Sequence, residues 1–446
     1  MEGNQGQRVF MQTFGCQMNE HDTQQMQFVL SNSGYEIIPD IKDAGVVVIN
    51  TCSVREKPEN KIYSLLGRLR LIKKTNPKLV IGVGGCVARQ EKENIFKRAP
   101  WVDIVFGPDN YILLPKMIAR AKKGEKVLDV EWKKQMPKFE ELKFTNQTDF
   151  ARRINSGKAY IAITKGCDNF CSFCIVPFTR GREMSRSLES ILIEAKELIS
   201  SGAKELTLVG QNVNSYFSKE TDFYSLLNEV SSLAGVERLR FVSPHPKDWN
   251  DKLSALMASK KNICNQLHLP FQSGSTRILK MMRRDHSIEN YLKKIATVKK
   301  LIPDIELSTD VIVGFPGETQ EDFQGTLRVL SEVGFVQVFG FKYSPRKGTR
   351  AANMPDDVSL PIKDARLAEL IALQKKIVKT QLQKYIGKTI DVLIERVDST
   401  VSPNMSVGKS AGSITVKIAG RTKTEQGEIY PIKIIGIGET SLLGER

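Results

Sequence analysis

Short unbroken apolar runs alternate with stretches in which apolar positions recur every three or four residues over the first third of the chain. Arg8-Val9-Phe10-Met11-Gln12-Thr13 predicts a short strand. Val46-Val47-Val48-Ile49-Asn50 is a continuous β-branched run, as a strand buried on both faces requires. Leu79-Val80-Ile81-Gly82-Val83-Gly84 is a third such run. After the first strand, Met26, Val29 and Leu30 share one face of a helix predicted over His21–Ser31, with Asp22 as its cap and Gly34 just past its end. Strands separated by helical patterns predict an α/β domain with a doubly wound parallel sheet.

From Glu131 to Phe150 the pattern breaks into charged, aperiodic residues that read as a linker. Beyond it, strands are predicted at Ala159–Thr164, Glu205–Val209, Arg238–Val242, Gln266–Leu269, Glu306–Val313 and Val336–Tyr343. Helical patterns such as Leu188–Ser200 and Gln320–Val333 lie between them. Six strand–helix units predict a partial (β/α)6 barrel, whose active site belongs at the C-terminal rim. From about Gln381 the runs Thr389–Glu395, Ser413–Ile418 and Tyr430–Ile435 are strand-like and separated by Gly, Ser and Pro. They predict a small antiparallel β-barrel. The expected domains are 1–145, 150–380 and 381–446.

A chain of 446 residues exceeds one ordinary core, which agrees with that division. Its 41% hydrophobic and 26% charged residues are those of a globular protein and exclude a disordered one. No apolar run approaches the roughly 18 residues that cross a bilayer, and the first residues lack the basic and apolar regions of a signal peptide. The expectation is a cytoplasmic protein with no membrane partner. Seven cysteines in such a compartment point to metal binding or catalysis rather than disulfides. Cys264 fits neither group described below and reads as a buried free thiol.

The net charge of +16 implies a polyanionic partner. It is concentrated between Arg55 and Arg98, with 12 basic and 4 acidic residues, and between Arg277 and Lys300, with 8 and 2. From Gln381 onward the tail is only weakly basic, 9 against 7.

The most specific chemistry lies in Cys167, Cys171 and Cys174. Their C-x3-C-x2-C spacing on one loop suits three irons of a [4Fe–4S] cube and leaves the fourth without a protein ligand. An iron with open positions can hold the amino and carboxylate groups of S-adenosylmethionine (SAM). A zinc knuckle is the alternative, but zinc sites usually close with four ligands in two pairs. The loop follows the first barrel strand, on the predicted active rim. In the N-terminal domain each predicted strand runs into a cysteine: Cys16, Cys52 and Cys86. Ligands of open α/β sheets gather at the carboxyl ends of strands, so these three form a candidate second cluster site. Gly15, Gly84 and Gly85 beside them are expected to let the backbone approach something bulky. Unrelated buried cysteines are the alternative.

Several further runs carry a family resemblance. They are Phe14-Gly15-Cys16-Gln17-Met18-Asn19, Asn50-Thr51-Cys52-Ser53-Val54-Arg55, Gly84-Gly85-Cys86-Val87-Ala88-Arg89, the stretch Cys171–Glu183, Gly210–Tyr216 and His268–Ser275. In this order, over the whole chain, the sequence resembles the radical-SAM methylthiotransferases, most closely the MiaB type that acts on tRNA. Gln17-Met18-Asn19 and Val176–Gly181 favour that type over those acting on a ribosomal protein or on threonylcarbamoyl-adenosine tRNA. Phe178 and Arg89 are mild departures, standing where Tyr and Gln are common.

The resemblance implies two [4Fe–4S] clusters, an auxiliary one on Cys16, Cys52 and Cys86 and a radical-SAM cluster on Cys167, Cys171 and Cys174. It implies that the tail is a TRAM domain docking RNA, and that the product is 2-methylthio-N6-isopentenyladenosine beside the anticodon. SAM would serve twice, as the source of the 5′-deoxyadenosyl radical and as methyl donor. Partners would be tRNA carrying isopentenyladenosine, a reductant protein and an unidentified sulfur donor, with the chain a monomer. A non-catalytic iron–sulfur RNA-binding protein is the alternative of another class, and it needs no SAM site.

By rim position, Gly210 and Gln211 are candidates for the amino end of SAM, and Gln272, Ser308 and Asp310 for its ribose. Val311–Glu318 offers an apolar edge for adenine. Turn or core roles are the alternative for each. Arg55, Arg180, Arg182 and Arg186, near cluster cysteines in sequence, are candidates for phosphate or base contacts, with structural ion pairs as equal contenders. His245 and His268 at strand ends read as satisfied structural histidines.

Overall fold

The computed structural model describes residues 5–53, 56–132, 150–151, 153–398, 405–419 and 424–446. Most of the predicted linker and Arg55 lie outside them. Contacts divide the chain into two compact units. One comprises Met1–Phe144, Lys165–Asp168 and Cys174–Arg186, the other Thr145–Thr164, Asn169–Phe173 and Ser187–Arg446.

The first unit is a parallel sheet of β1 (Arg8–Thr13), β2 (Glu36–Ile38), β3 (Val46–Thr51), β4 (Val80–Gly85), β5 (Ile104–Phe106) and β6 (Val127–Asp129), in the order β2-β1-β3-β4-β5-β6. Every residue of β3 and β4 is buried, as their unbroken apolar runs require. One face packs Val47, Ile49, Ile81 and Val83 against Ile62, Leu66 and Leu69 of the helix Glu56–Thr75. The other packs Val46 and Val48 against Met26 and Leu30 of the helix Gln17–Ser31. That helix begins at Gln17, ahead of the predicted His21, with Cys16 at its N-cap position. Asp22 is therefore not its cap but a buried residue inside it.

The glycines beside the cysteines also serve a different end from the one expected. A Cβ on Gly84 would stand 2.2 Å from the Phe106 ring, and one on Gly15 would enter the Asn19 side chain. Gly85, at φ +94°, would meet the Thr51 carbonyl at 2.4 Å. The bulk these glycines admit is the protein's own.

In the second unit β7 (Lys158–Ala162), β8 (Glu205–Val209) and β9 (Arg238–Phe241) pair in parallel, as do β10 (Gln266–His268), β11 (Glu306–Val313) and β12 (Gln337–Lys342). A parallel bridge between Leu239 and Ile263 links the two halves in chain order, giving the six-stranded partial barrel. The helices Leu188–Ser200 and Gln320–Val333 lie where the pattern puts them. The latter opens on a capping box between Thr319 and Asp322 and stops at left-handed Gly334.

The tail closes a five-stranded barrel from β13 (Thr389–Asp398), β14 (Met405–Ser410), β15 (Thr415–Ala419), β16 (Ile429–Ile437) and β17 (Ser441–Glu445). One pairing departs from the predicted antiparallel pattern: β15 and β17 run parallel, and this pair closes the ring. Val378 and Leu382 of the helix Leu360–Gln383 complete the barrel's core. The barrel is fastened to the N-terminal ends of the parallel strands. Arg238 donates to the carbonyls of Lys409 and Asp391 at 3.1 and 2.8 Å, and Arg240 to that of Ser410 at 2.9 Å. Glu205 balances Arg240 at 2.9 Å, and Lys384 reaches Glu306 at 2.8 Å. Among the described residues no helix is long and apolar enough to cross a membrane.

Gly84→Ala is expected to destabilise the first unit by about 1–3 kcal/mol through overpacking against Phe106. Gly82→Ala, whose nearest neighbour would be at 3.7 Å, is expected to be close to neutral. Urea denaturation of the two variants, followed by circular dichroism, checks the contrast.

Candidate functional site

β1, β3 and β4 are neighbours in the sheet, and each is followed within three residues by a cysteine. Cys52 and Cys86 follow their strands immediately, and the pairing of Asn50 with Gly84 and Thr51 with Gly85 sets those two ends side by side. A polar lattice holds the loops. Asn19 Nδ2 donates to Asn50 Oδ1 at 3.2 Å and to the Thr51 carbonyl at 3.0 Å, while Asn50 Nδ2 returns a bond to the Asn19 carbonyl at 2.8 Å. Cys16 Sγ lies 3.4 Å from Asn19 Oδ1. The Cys16 thiol is pushed down to about 6, chiefly by the hydrogen bond from Cys52. The Arg180 charge and the N–H groups of Asn19 and Met18 assist, against burial.

Around these thiols lies an unusual concentration of buried charge. Arg180 is 3% exposed and donates to Asp22 Oδ2 at 2.7 Å. Arg89, also 3% exposed, donates to Asp109 Oδ2 at 2.8 Å and to the Glu131 carbonyl at 2.9 Å, and stacks 4.1 Å from Trp132. Lys165 pairs with Asp109 and is pulled down to about 7, first by burial and then by the Arg180 charge. Asp22 is held below its usual range by Arg180 and His21, against the opposing effect of burial. Two buried carboxylates thus face the guanidinium of Arg180, that of Arg89 and the Lys165 amine. Half-buried Asp129 and exposed Glu131 also act on Arg89.

That donor set fits a cluster held by thiolates: three sulfurs at adjacent strand ends, one of them already acidic, near the buried guanidinium groups of Arg180 and Arg89. Among the described residues no three His, Cys, Asp or Glu side chains converge as ligands of one metal ion would. A [4Fe–4S] cube gives each cysteine a separate iron, so convergence on one point is not what it asks for.

The C-x3-C-x2-C loop is divided between the units. Cys167 and Cys174 belong to the first and Cys171 to the second. Cys167 N donates to the Gly181 carbonyl at 3.2 Å. The segment around Cys171 is pinned by Ser172, whose N and Oγ each donate at 2.9 Å, to the carbonyls of Met282 and Met281. Arg284 Nη1 faces Cys171 Sγ at 3.5 Å. Cys264 is a free, buried thiol, and burial raises it.

Of the candidate SAM residues, Gly210, Gln211 and Gln272 lie beyond the C-terminal ends of strands in the second unit, whereas Ser308 and Asp310 lie within β11. Gly210 follows β8 so closely packed that a Cβ would meet Thr164 Oγ1 at 2.1 Å; half-buried Gln211 comes next. Gln272 holds a left-handed φ of +68° and bridges to Val311. Ser308 and Asp310 share a face of β11, and both engage His268, at 3.0 Å to Nδ1 and 3.5 Å to Nε2 respectively. His245 is buried and held neutral, mainly by desolvation, with Nδ1 accepting from Lys247 N at 3.1 Å.

The arginines sort differently from the expectation that grouped them. Arg180 and Arg186 are buried, so neither offers a surface for phosphate. Arg182 is exposed and forks onto Asp168 at 2.7 and 3.1 Å. The pairings of Asp22, Asp109, Lys165 and Arg284 carried no sequence signal, because the partners are distant in the chain.

Residues 8–107 match the uncharacterized protein family UPF0004, and residues 161–330 the radical SAM superfamily. Over 432 residues the chain is 44% identical to a tRNA-2-methylthio-N(6)-dimethylallyladenosine synthase from Bdellovibrio bacteriovorus, covering 96% of this chain and 93% of that one. The chain belongs to this synthase family. Solved structures share the fold at low identity. The radical SAM methyltransferase TsrM from Kitasatospora setae aligns with a TM-score of 0.54 at 14% identity, covering 78% of this chain and 77% of that one. The cobalamin-dependent radical enzyme OxsB aligns at 0.51 and 14%, covering 82% and 56%. The match to the synthase spans both units, so the strand-end cysteines and the loop cysteines belong to one enzyme.

Anaerobic reconstitution of this synthase homologue is expected to load about eight irons per chain, as two cubes require. Replacing Cys16, Cys52 and Cys86 by Ala is expected to leave about four, read by iron and sulfide assay.

Proposed function

We propose that the chain methylthiolates carbon 2 of N6-isopentenyladenosine (dimethylallyladenosine) next to the anticodon of tRNA. The observation that carries this is the 44% identity over 96% of the chain to a synthase of that product. The chain is a radical-SAM enzyme that uses [4Fe–4S] clusters and SAM, with tRNA as its substrate. We assign Cys167, Cys171 and Cys174 to one cluster and Cys16, Cys52 and Cys86 to the other. When bound, these groups supply a carbon radical able to remove the unreactive hydrogen from carbon 2, a sulfur atom to replace it and a methyl group to cap it.

The residues of the chain bind, orient and shield. Buried Arg180, Arg89 and Lys165 offset the negative charge that three thiolates bring into the first unit. Gly210, Gln211 and Gln272, beyond strand ends of the second unit, and Ser308 and Asp310, within β11, are the proposed SAM contacts. His268, bonded to Ser308 and facing Asp310, fixes the rotamers of those two side chains. The exposed Arg68, Lys74 and Lys78, on and just beyond the helix Glu56–Thr75, offer phosphate contacts. The target base must leave its stack, which an anticodon loop permits. The work belongs in the cytoplasm, with a protein reductant and a separate sulfur donor, and the chain acts as a monomer.

The test is anaerobic incubation with SAM, reductant and isopentenylated tRNA, followed by nucleoside mass analysis. A methylthiolated nucleoside is expected. An unchanged nucleoside alongside a ribosomal peptide that gains mass would overturn the substrate assignment. In the same assay Cys171→Ala is expected to abolish SAM cleavage, whereas Cys52→Ala is expected to cleave SAM without forming product.

A further inference from the structure

Among the described residues, Arg284 is a buried cation of the second unit that no carboxylate pairs with. It is 6% exposed; Nη2 donates to the Pro270 carbonyl at 2.8 Å, Nη1 faces Cys171 Sγ at 3.5 Å, and Nε has no partner among the described residues. Among the described residues it forms no ion pair with Asp or Glu. Other buried arginines of the second unit behave otherwise: Arg153 holds Glu194, Arg240 holds Glu205 and Arg366 holds Glu318. A guanidinium taken out of water without an anion is strongly unfavourable. The sulfur of Cys171 is the group that Arg284 faces in place of a carboxylate.

The backbone around Arg284 is bent to achieve this. The helix Thr276–Met281 ends just before it, and Arg283 and Asp285 sit in the left-handed region at φ +56° and +50°. Two non-glycine residues in that region, one on each side, are strained conformations that persist only where the surroundings impose them, typically at functional sites. Their own side chains point to solvent, and only the residue between them turns inward. Both ends of the contact are fastened. Arg284 N donates to the Leu279 carbonyl at 3.0 Å, its carbonyl meets His286 Nδ1 at 2.8 Å, and Ser172 beside Cys171 accepts from Ala351 N at 2.7 Å.

We propose that Arg284 is a positioning residue for Cys171, which holds the sulfur as an anionic ligand and raises the reduction potential of the cluster that Cys171 ligates. The inference rests on the assignment of Cys171 to that cluster. One-electron reduction by a low-potential donor adds one negative charge with no proton taken up, and a fixed neighbouring cation stabilises the added charge. Hydrogen bonds to the sulfurs and net local charge are the levers by which proteins set such potentials. The sequence counts Arg284 in a basic segment suited to RNA; the structure removes it from the surface.

The experiment uses the full chain with Cys16, Cys52 and Cys86 replaced by Ala, reconstituted anaerobically and titrated with dithionite without SAM. Electron paramagnetic resonance follows the reduced cluster, and circular dichroism follows the fold. At the potential where the parent is half reduced, Arg284→Met and Arg284→Gln are each expected to show a reduced-to-oxidised ratio at least tenfold lower. For a one-electron couple that is a shift of about 59 mV downward. Arg284→Lys, which keeps the charge, is expected to fall between them and the parent. A folded neutral variant with the parental iron content and midpoint overturns the proposal. Iron lost from both neutral variants but kept by Arg284→Lys supports it; iron lost from all three overturns it. A parent that binds no iron refutes the assignment of Cys171 instead.

Discussion

Positive charge buried beside sulfur is the constraint from which the rest of this molecule can be understood. Guanidinium groups are seldom taken out of water, and a buried pair gains little over apolar packing once desolvation is counted. This chain nonetheless sinks Arg89, Arg180 and Lys165 near Cys16 and Cys86, and Arg284 against Cys171. Thiolates that bind iron bring negative charge into an interior that must otherwise exclude it. The arginines make those interiors habitable for anions, and the scaffold is arranged to hold them there.

The arrangement differs between the two sulfur sets, in line with the separate tasks proposed for them. In the first unit Arg180 is tied to Asp22 and Arg89 to Asp109, so each guanidinium is oriented by a carboxylate. In the second, Arg284 has a carbonyl and a sulfur for partners and keeps its charge undivided. A cluster that must accept an electron to start the reaction, the task proposed for the set containing Cys171, depends on its potential. Arg89 also has a physical role of its own, since its stack on Trp132 and bond to the Glu131 carbonyl secure that segment of the first unit.

The sheet architecture was legible because strands buried on both faces advertise themselves as unbroken β-branched runs, as Val46–Ile49 does. The cysteines were legible because motif spacing is local. What escaped was charge pairing over long chain separations: Asp22 and Arg180 are 158 residues apart, Cys171 and Arg284 113. Asp22 looked like a helix cap because capping is a local rule, yet the helix had already started at Gln17. The glycines near the cysteines looked like room for a ligand, whereas Phe106, Thr51 and Asn19 fill that room. Short strands such as Met405–Ser410 and Ser441–Glu445 were missed because Gly, Ser and Lys dilute their alternation.

The ionic floor beneath the partial barrel has its own consequence. Glu205, Arg238 and Arg240 open β8 and β9, and their bonds to the backbone of β13 and β14 leave the terminal barrel no tether on which to swing. A nucleic acid gripped by that barrel would be measured out from a fixed baseline, so the distance to the strand ends becomes a property of the fold, as with a ruler. Cutting the chain before Thr389 would lift a lid from charged groups buried beneath it, and shortening the protein there would harm the part that remains.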